Sequence, residues 1–217
     1  MTARTILFFF SLFFLAVSVT AQNQDSVAPV HTQDTSESEW QLEGLLYDYI
    51  LPHEGDILMP ILYVDWRSFH AEVRYNYEDL RTASVFAGYR LEAGEKLAFG
   101  ATPMVGVLFG NSSGLAPGLL LDLAYGKFDF YSESEYIVDF SGSENNYFYT
   151  WTELAVTPVE NIRTGISANR TRLYQAELDV QKGLFAQYSF GKSTAGFHYF
   201  NPFTEDYFFV ASLGFEF

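Results

Sequence analysis

The chain ends with the stretch Tyr207-Phe-Phe-Val-Ala-Ser-Leu-Gly-Phe-Glu-Phe217, in which apolar residues recur at every second position. The odd positions from 207 to 217 are all apolar, whereas even positions 212, 214 and 216 hold Ser, Gly and Glu. Because successive side chains of a strand point to opposite faces, this alternation predicts a β-strand with one apolar face. An edge strand of a soluble sheet could carry the same pattern.

The same alternation continues through most of the chain upstream of this stretch. From Trp40 onward, turn-forming clusters such as Gly110-Asn111-Ser112-Ser113-Gly114 and Asn201-Pro202 separate the alternating runs. The pattern predicts strands near residues 40–50, 56–66, 68–77, 81–91, 95–109, 116–126, 127–140, 147–158, 161–171, 176–190, 192–200 and 206–217. A membrane-spanning strand of about 9–11 residues with a short connection uses roughly 13–15 residues. Residues 40–217 therefore accommodate about twelve such strands, and ten or fourteen also fit this length.

The composition agrees with interleaved apolar and polar residues. Of the 217 residues, 18% are aromatic, with 22 Phe and 15 Tyr, yet the mean hydropathy is close to zero. Such a chain alternates the two classes along its length instead of separating them into a core and a surface. The absence of Cys excludes disulfides and a lipidated N-terminal Cys. The net charge of −15 argues against binding to nucleic acids or to anionic lipid surfaces.

The N-terminal segment has the features of a secretory signal peptide. Arg4 precedes an apolar run from Ile6 to Val19, and Val19 and Ala21 supply the compact residues of a cleavage site. We expect a signal peptide over residues 1–21, because the apolar run is shorter than the roughly 20 residues of a spanning helix. Residues 22–39 are rich in Ser, Thr, Gln and acids and predict a disordered periplasmic leader, followed by a barrel domain over 40–217.

The terminal strand resembles the closing strand of bacterial outer-membrane β-barrels, the porin-like class. In that class a C-terminal Phe, with apolar residues at alternate positions before it, is the signal that the barrel-assembly machinery reads. The resemblance assigns this assembly signal to Phe209, Ala211, Leu213, Phe215 and Phe217. It implies an all-β fold, a transmembrane antiparallel up-and-down β-barrel in the outer membrane of a Gram-negative bacterium. Its partners would be outer-membrane lipids and the assembly machinery.

An even number of strands places both ends of the barrel domain on the periplasmic side. The breaks near residues 53, 79, 112, 143, 173 and 203 then face the cell exterior, and all of them are short. We therefore expect this barrel to lack the long, inward-folded loop that narrows larger porins.

Charged residues predict which face of each strand points inward. Lysine or arginine on the lipid face near the middle of the bilayer costs about 2–4 kcal/mol. In the third strand, this rule places Phe69, Ala71, Val73, Tyr75 and Tyr77 outward and His70, Glu72, Arg74, Asn76 and Glu78 inward. Applied to the whole chain, it assigns the lumen lining to Glu72, Arg74, Arg90, Asp122, Asp129, Glu133, Glu135, Asp139, Glu153, Arg163, Glu177 and Asp179.

Two places do not follow the rule, and a third interrupts the ladder. Lys182 falls in the lipid-facing phase unless Gly183 marks a β-bulge. The second strand, which contains Pro60, has no clear phase. Pro103 in the fifth strand removes a donor from the ladder, which predicts a weak point or a bulge.

Carboxylates dominate the predicted lumen, and rings of Asp and Glu attract cations. The sequence therefore favours a passive, cation-preferring channel or small porin for small cationic or neutral solutes. Small inward residues in the fifth strand favour open space; these are Ala98, Gly100, Thr102, Gly106 and Gly110. The alternative is a closed structural or partner-binding barrel, in which Arg74, Arg90 and Arg163 form salt bridges that fill the interior.

A lipid-modifying enzyme is the third and least favoured function. Such barrels use Ser, His and an acid or amide at the membrane boundary, but His70 and His198, the histidines of the predicted barrel, fall near opposite ends of it. Metal binding by His70 and Glu72 is disfavoured, because Arg74 on the same face would repel a cation. We therefore predict no catalytic residues, no cofactor and no metal site.

Overall fold

The computed structural model of the protein describes residues 40–52, 55–171 and 180–217. The predicted signal peptide over residues 1–21 and the predicted leader over 22–39 lie outside the described residues, as do Glu177 and Asp179. No helix in the described part of the chain is long and apolar enough to cross a membrane.

Strands make up most of the described chain. They are β1 (Gln41–Ile50), β2 (Ile57–Trp66), β3 (Phe69–Tyr75), β4 (Thr82–Tyr89), β5 (Leu91–Ala93), β6 (Ala98–Gly110), β7 (Gly114–Tyr125), β8 (Phe128–Asp139), β9 (Tyr147–Val159), β10 (Ile162–Arg170), β11 (Gln181–Phe190), β12 (Ser193–Phe200) and β13 (Phe208–Glu216). A short 3-10 turn, Ser143–Asn145, lies between β8 and β9.

The strands close into an antiparallel barrel. Neighbours along the chain pair with each other, and β1 pairs with β13 from Glu43↔Glu216 to Ile50↔Phe209. Because β4 and β5 both pair with β6, they occupy one position in the wall, and the barrel has twelve strand positions. The predicted twelve-stranded antiparallel barrel is confirmed. Closure removes the free edges that would leave backbone groups unpaired in lipid.

The two ends of the barrel differ in their connections. Gln41 and Glu216 lie at one end, which we call the terminal end, and the short turns at residues 67–68, 126–127, 160–161 and 191–192 lie there too. The opposite end, the loop end, carries the described connections at residues 76–81, 111–113, 140–146 and 201–207.

Apolar side chains cover the outer wall of the barrel. Leu58, Val105 and Ile166 expose 54%, 55% and 54% of their surface, although each lies within a regular strand. Burial of such side chains in a core normally stabilises a protein by about 1.5–3 kcal/mol each. A wall that exposes them along many strands is suited to contact with lipid chains rather than water.

Pro103 interrupts the wall without shifting its register. Gly88 pairs with Met104, and Leu91 pairs with Ala101, so the same alignment continues on both sides of the break between β4 and β5. Pro103 has no backbone N–H to donate at this break. The expected weak point in the ladder is therefore present, and no bulge accompanies it.

The register also stays constant past Gly183. This residue pairs with Phe200 in the same alignment that joins Phe190 to Ser193, so the bulge considered at Gly183 is absent. Lys182 faces outward, as its phase predicts, but it is the second residue of β11 and lies at the loop end. A lysine at this depth can extend its ammonium group to the headgroup region.

β2 alternates regularly in spite of Pro60. Ile57, Met59 and Ile61 are buried inside the barrel, whereas Leu58 and Pro60 are exposed. The expectation that this strand has no clear phase is wrong for a physical reason. Both faces of β2 are apolar near the loop end, so hydropathy alone does not distinguish the inner face from the outer one.

Candidate functional site in the barrel interior

Arg74 of β3 lies inside the barrel and is 1% exposed. Its Nη1 atom is 3.2 Å from Glu78 Oε1, 2.7 Å from Glu133 Oε1 and 2.5 Å from Glu135 Oε1. Its Nε atom donates to Glu72 Oε2 at 2.5 Å. We call these five residues the Arg74 cluster. Glu133 and Glu135 belong to β8, four wall positions from β3, so their contacts with Arg74 cross the lumen.

Aromatic rings enclose the guanidinium of Arg74. Its central carbon lies 4.6 Å from the Tyr77 ring centroid and 4.3 Å from that of Phe86, within the range of cation–π attraction. The side chains of Arg74, Glu72 and Glu135 have no exposed surface. Water therefore has no access to these three side chains, and the interior is tightly packed around them.

His70 extends the Arg74 cluster toward the terminal end. Its Nε2 atom is 2.5 Å from Glu72 Oε1 and its Nδ1 atom is 2.8 Å from Asp65 Oδ1. Asp65 Oδ1 also lies 3.4 Å from Arg90 Nη2. Two carboxylate acceptors match an imidazolium that donates from both nitrogens. Basic and acidic groups thus alternate along the series Arg90, Asp65, His70, Glu72 and Arg74.

A second group of charges surrounds Arg163 of β10. Its Nη2 atom is 2.5 Å from Asp129 Oδ1, and its Nη1 atom is 2.5 Å from Glu153 Oε2. Glu153 Oε1 also lies 3.0 Å from His198 Nε2 and accepts a 2.9 Å hydrogen bond from Trp151 Nε1. We call these five residues the Arg163 cluster. His198 therefore belongs to the Arg163 cluster, whereas His70 adjoins the Arg74 cluster.

The β3–β4 loop, Asn76 to Arg81, folds into the lumen. Asn76 and Arg81 have positive φ angles of 60° and 53°, and between them Tyr77 and Glu78 are 3% and 0% exposed. The prediction that Tyr77 faces lipid is wrong, because the left-handed conformation of Asn76 turns the chain inward. The connection is short, as expected, but two of its residues enter the interior, which the sequence did not predict. The asparagine is the sequence feature that could have predicted this turn, since Asn tolerates positive φ better than most residues.

Hydrogen bonds hold this loop in place. Ser84 Oγ donates to Glu78 Oε1 at 2.7 Å, and Tyr77 Oη donates to Glu133 Oε2 at 2.8 Å. Burial raises the pKa of Glu78 above its ordinary value, and the nearby Glu133 carboxylate acts in the same direction. The Arg74 guanidinium and the Ser84 hydroxyl oppose this shift in the pKa.

An aromatic layer fills the interior near the loop end. The ring centroids of Phe200 and Phe208 are 4.9 Å apart, those of Tyr49 and Phe208 are 6.0 Å apart, and those of Trp151 and Phe200 are 5.6 Å apart. Asn169 Nδ2 of β10 donates to Tyr49 Oη of β1 at 3.0 Å. These two strands are four wall positions apart, so this hydrogen bond also crosses the lumen.

Small residues on the inner faces of β6 and β7 make room for larger neighbours. A methyl group at Gly106 would lie 2.4 Å from the ring of Phe86, and one at Gly118 would lie 2.9 Å from Met104 Cε. Contacts this short show that side chains already fill the space beside both glycines. The expectation of open space beside Gly106 is therefore wrong.

The other predicted lumen residues lie nearer the ends of the barrel. Arg90 and Asp122 lie toward the terminal end and are partly exposed. Asp139 ends β8 at the loop end, where its Oδ1 atom accepts a 2.8 Å hydrogen bond from the Ser141 backbone N–H. It therefore supports the β8–β9 connection.

Carboxylates outnumber guanidinium groups among the described interior residues. The carboxylates include Asp65, Glu72, Glu78, Asp122, Asp129, Glu133, Glu135 and Glu153, and the guanidinium groups are those of Arg74, Arg90 and Arg163. The imbalance is largest in the Arg74 cluster, where four carboxylates share one guanidinium.

The residues of the predicted assembly signal lie on the outer face of β13. Phe209, Ala211 and Leu213 are half-buried, Phe215 is exposed, and Phe217 follows the strand with 72% of its surface exposed. The opposite face of β13 holds Phe208 and Val210, which are 2% and 0% exposed. The strand is therefore apolar on both faces near the loop end, which the odd-position pattern did not predict.

A closed twelve-stranded antiparallel barrel with an apolar outer wall and charged groups inside has the fold of porin-like transmembrane β-barrels. Solved structures of the same fold agree with this class. The KdgM porin is similar with a TM-score of 0.58 and 10% sequence identity, over 82% of this chain and 99% of that chain. The KdgM porin in complex with disordered oligogalacturonate is similar with a TM-score of 0.55 and 9% identity, over 82% and 99%. No protein-family model matches the sequence, and no curated protein matches it.

Proposed function

We propose that this protein is a cation-preferring outer-membrane channel that is closed in the conformation described. The observation that carries this proposal is the charge imbalance of the Arg74 cluster, in which Glu72, Glu78, Glu133 and Glu135 surround one guanidinium. If the interior opened to water, these carboxylates would line the path and attract cations. The surplus of negative charge would repel anions by the same field.

The solute of the similar KdgM complex does not transfer to this chain. Oligogalacturonate, named for that complex, is a polyanion. A polyanion would meet the carboxylates of both the Arg74 and the Arg163 clusters, and like charges at close range disfavour binding. We therefore propose small cationic or neutral solutes for this protein.

A second candidate is a permanently closed barrel with a structural or partner-binding role. The complete burial of the Arg74 side chain favours it, as do the hydrogen bonds that cross the lumen. Dense side-chain packing resists rearrangement. Neither candidate requires a catalytic group, a cofactor or a metal ion.

Recordings in planar lipid bilayers test the channel against the closed barrel. We expect folded protein to give discrete current steps under applied voltage. In a salt gradient, the sign of the reversal potential should show that cations pass more readily than anions. Glu133→Gln with Glu135→Gln should reduce this cation preference, whereas Glu95→Gln, in the exposed β5–β6 connection, should not. A folded protein that gives no steps at any voltage or pH would rule out the channel and favour the closed barrel.

The route to the membrane is also a proposal. We propose that a signal peptide is cleaved after Ala21 and that the assembly machinery recognises the outer face of β13. In this orientation the terminal end faces the periplasm and the loop end faces the exterior. N-terminal sequencing of the mature protein tests the cleavage site. Replacement of Phe217 by Ser should slow insertion into liposomes that contain the assembly machinery, and an unchanged rate would exclude a role for Phe217.

A further inference from the structure

We infer that the β3–β4 loop is a hinged gate that opens the lumen when it swings out toward the loop end. This inference rests on the proposed channel function and names the element that controls it. Three features carry it: the way the loop is anchored, the contacts that hold its tip inside, and the groups that lie beneath it.

Hydrogen bonds fix the base of the loop, and Tyr77 and Glu78 extend from it into the interior of the barrel. Asn76 N–H donates to the Thr82 carbonyl at 2.9 Å, and the Asn76 side-chain oxygen accepts from Arg81 N–H at 2.7 Å. Asn76 Nδ2 also donates to the Leu58 carbonyl of β2 at 3.0 Å. The two residues with positive φ, Asn76 and Arg81, flank the body of the loop. A change in the backbone angles at these two positions would move the residues between them as a unit.

The tip of the loop is held mainly by polar contacts with distant parts of the barrel. Tyr77 Oη donates to Glu133 of β8, and Tyr147 Oη of β9 donates to the Glu78 carbonyl at 3.1 Å. Asp79 Oδ2 accepts from Ser112 Oγ, in the β6–β7 connection, at 2.7 Å. Water can replace the lost partner in each of these hydrogen bonds once the loop leaves, so breaking them does not leave a buried polar group unpaired. Such contacts suit a closed state that must be reversible.

The loop covers the most acidic part of the interior. The Tyr77 ring lies between the Arg74 guanidinium and the Tyr149 ring, whose centroid is 5.0 Å away, so it joins β3 to the opposite wall at β9. When Tyr77 and Glu78 leave, Arg74 loses one ring and one carboxylate, and Glu133 loses a hydrogen-bond donor. Water would then reach the remaining carboxylates of the Arg74 cluster.

Two other connections at the loop end have different structures. The turn Ser143–Asn145, between β8 and β9, has no buried residues. Phe203 in the β12–β13 connection is 94% exposed. The β3–β4 loop is distinguished from these connections by two nearly fully buried residues, Tyr77 and Glu78, and by its contacts across the lumen.

A reversible disulfide tests the gate. The chain has no cysteine, so Asp79→Cys with Ser112→Cys introduces a single pair at a contact that holds the loop closed. We expect the oxidised double variant to lose at least tenfold in open probability in planar bilayers, and a reductant to restore it. The single variant Ser112→Cys is the matched control and should respond to neither treatment. If the oxidised and reduced double variants conduct equally well, the loop is not the gate, although the channel function stands.

A second variant tests the gate without a cross-link. Tyr77→Gly with Glu78→Gly removes the two buried side chains of the loop and should raise the open probability at least tenfold over the unmodified protein. The heat-modifiable migration of folded barrels in gels establishes that the variant has folded. A folded variant no more conductive than an active unmodified protein would overturn the gate. If the glycine variant, the unmodified protein and the reduced disulfide variant all fail to conduct, the channel function on which the gate depends is overturned instead.

Discussion

Replacement of Arg74 by Met would remove the guanidinium that four carboxylates share. Three of them lie 3.2, 2.7 and 2.5 Å from its Nη1 atom, and the fourth, Glu72, accepts from its Nε at 2.5 Å. Removing one partner of a buried ion pair costs about 3–5 kcal/mol, because the remaining charge has neither water nor a counter-ion. We expect a loss of this size in the free energy of unfolding. It corresponds to a change of roughly one hundredfold to several thousandfold in the equilibrium constant.

Urea unfolding of the refolded barrel in detergent or lipid measures this loss. Trp151 is 2% exposed, so its fluorescence should report the exposure of the interior, while gel mobility reports loss of the barrel. Arg67→Met is the matched control. Arg67 lies in the exposed β2–β3 turn with its guanidinium 4.9 Å from the Trp66 ring centroid, and its loss should cost about 1 kcal/mol or less.

A rescue variant separates charge from packing. Arg74→Met combined with Glu133→Gln and Glu135→Gln removes two of the carboxylates that the single variant leaves unpaired. Because contacting groups are not additive, we expect the triple variant to recover at least half of the stability lost by Arg74→Met alone. Two results would refute the idea that a buried ionic cluster stabilises the packed interior. One is a loss of less than about 1 kcal/mol in the free energy of unfolding of Arg74→Met, and the other is a triple variant less stable than Arg74→Met.

Three further predictions test the packed interior. Gly106→Ala should lower the free energy of unfolding in urea by about 1–3 kcal/mol, since its methyl group would lie 2.4 Å from an aromatic ring. The control Gly55→Ala, whose methyl group would have no atom within 4 Å, should have little effect. Equal effects of the two variants would contradict the packing described. Tyr49→Phe removes a hydrogen bond across the lumen and should cost about 1 kcal/mol, and an unchanged urea midpoint would contradict this contact. The raised pKa of Glu78 means that the closed state binds its proton more tightly than a solvated open state would. Closure is therefore favoured at low pH and is lost as the pH rises through the raised pKa, so open probability should increase with rising pH, and Glu78→Gln should flatten this profile.

The sequence predicted the outer wall well because one physical rule governs it. A charge on the lipid face near the middle of the bilayer is costly, so Phe69 and Val73 were placed outward, and Glu72 and Arg74 inward, from the alternation of β3 alone. The rule does not apply to the interior at the loop end. There Met59 and Phe208 are apolar and face inward, and only the pairing of their strands shows it.

The inward loop illustrates a second limit. A period of two predicts that Tyr77 continues the outer face of β3, but a single left-handed residue at Asn76 reverses this placement. Asn is compatible with positive φ without requiring it. The conformation is fixed here by hydrogen bonds with Leu58 and Thr82, and these partners are contributed by neighbouring strands.

The sequence by itself determined the strands, their approximate number, the apolar outer wall and the closing strand at Phe217, because each depends on residues close together in the chain. Only the tertiary structure decided how tightly the interior is packed. That depends on contacts such as the one between Arg74 and Glu135, which are 61 residues apart and meet because the barrel closes. It also depends on volume, since Gly106 leaves a gap that the ring of Phe86 fills from the neighbouring strand. The alternation of a strand determines which residues enter the interior, and the packing of all strands together determines what space remains there.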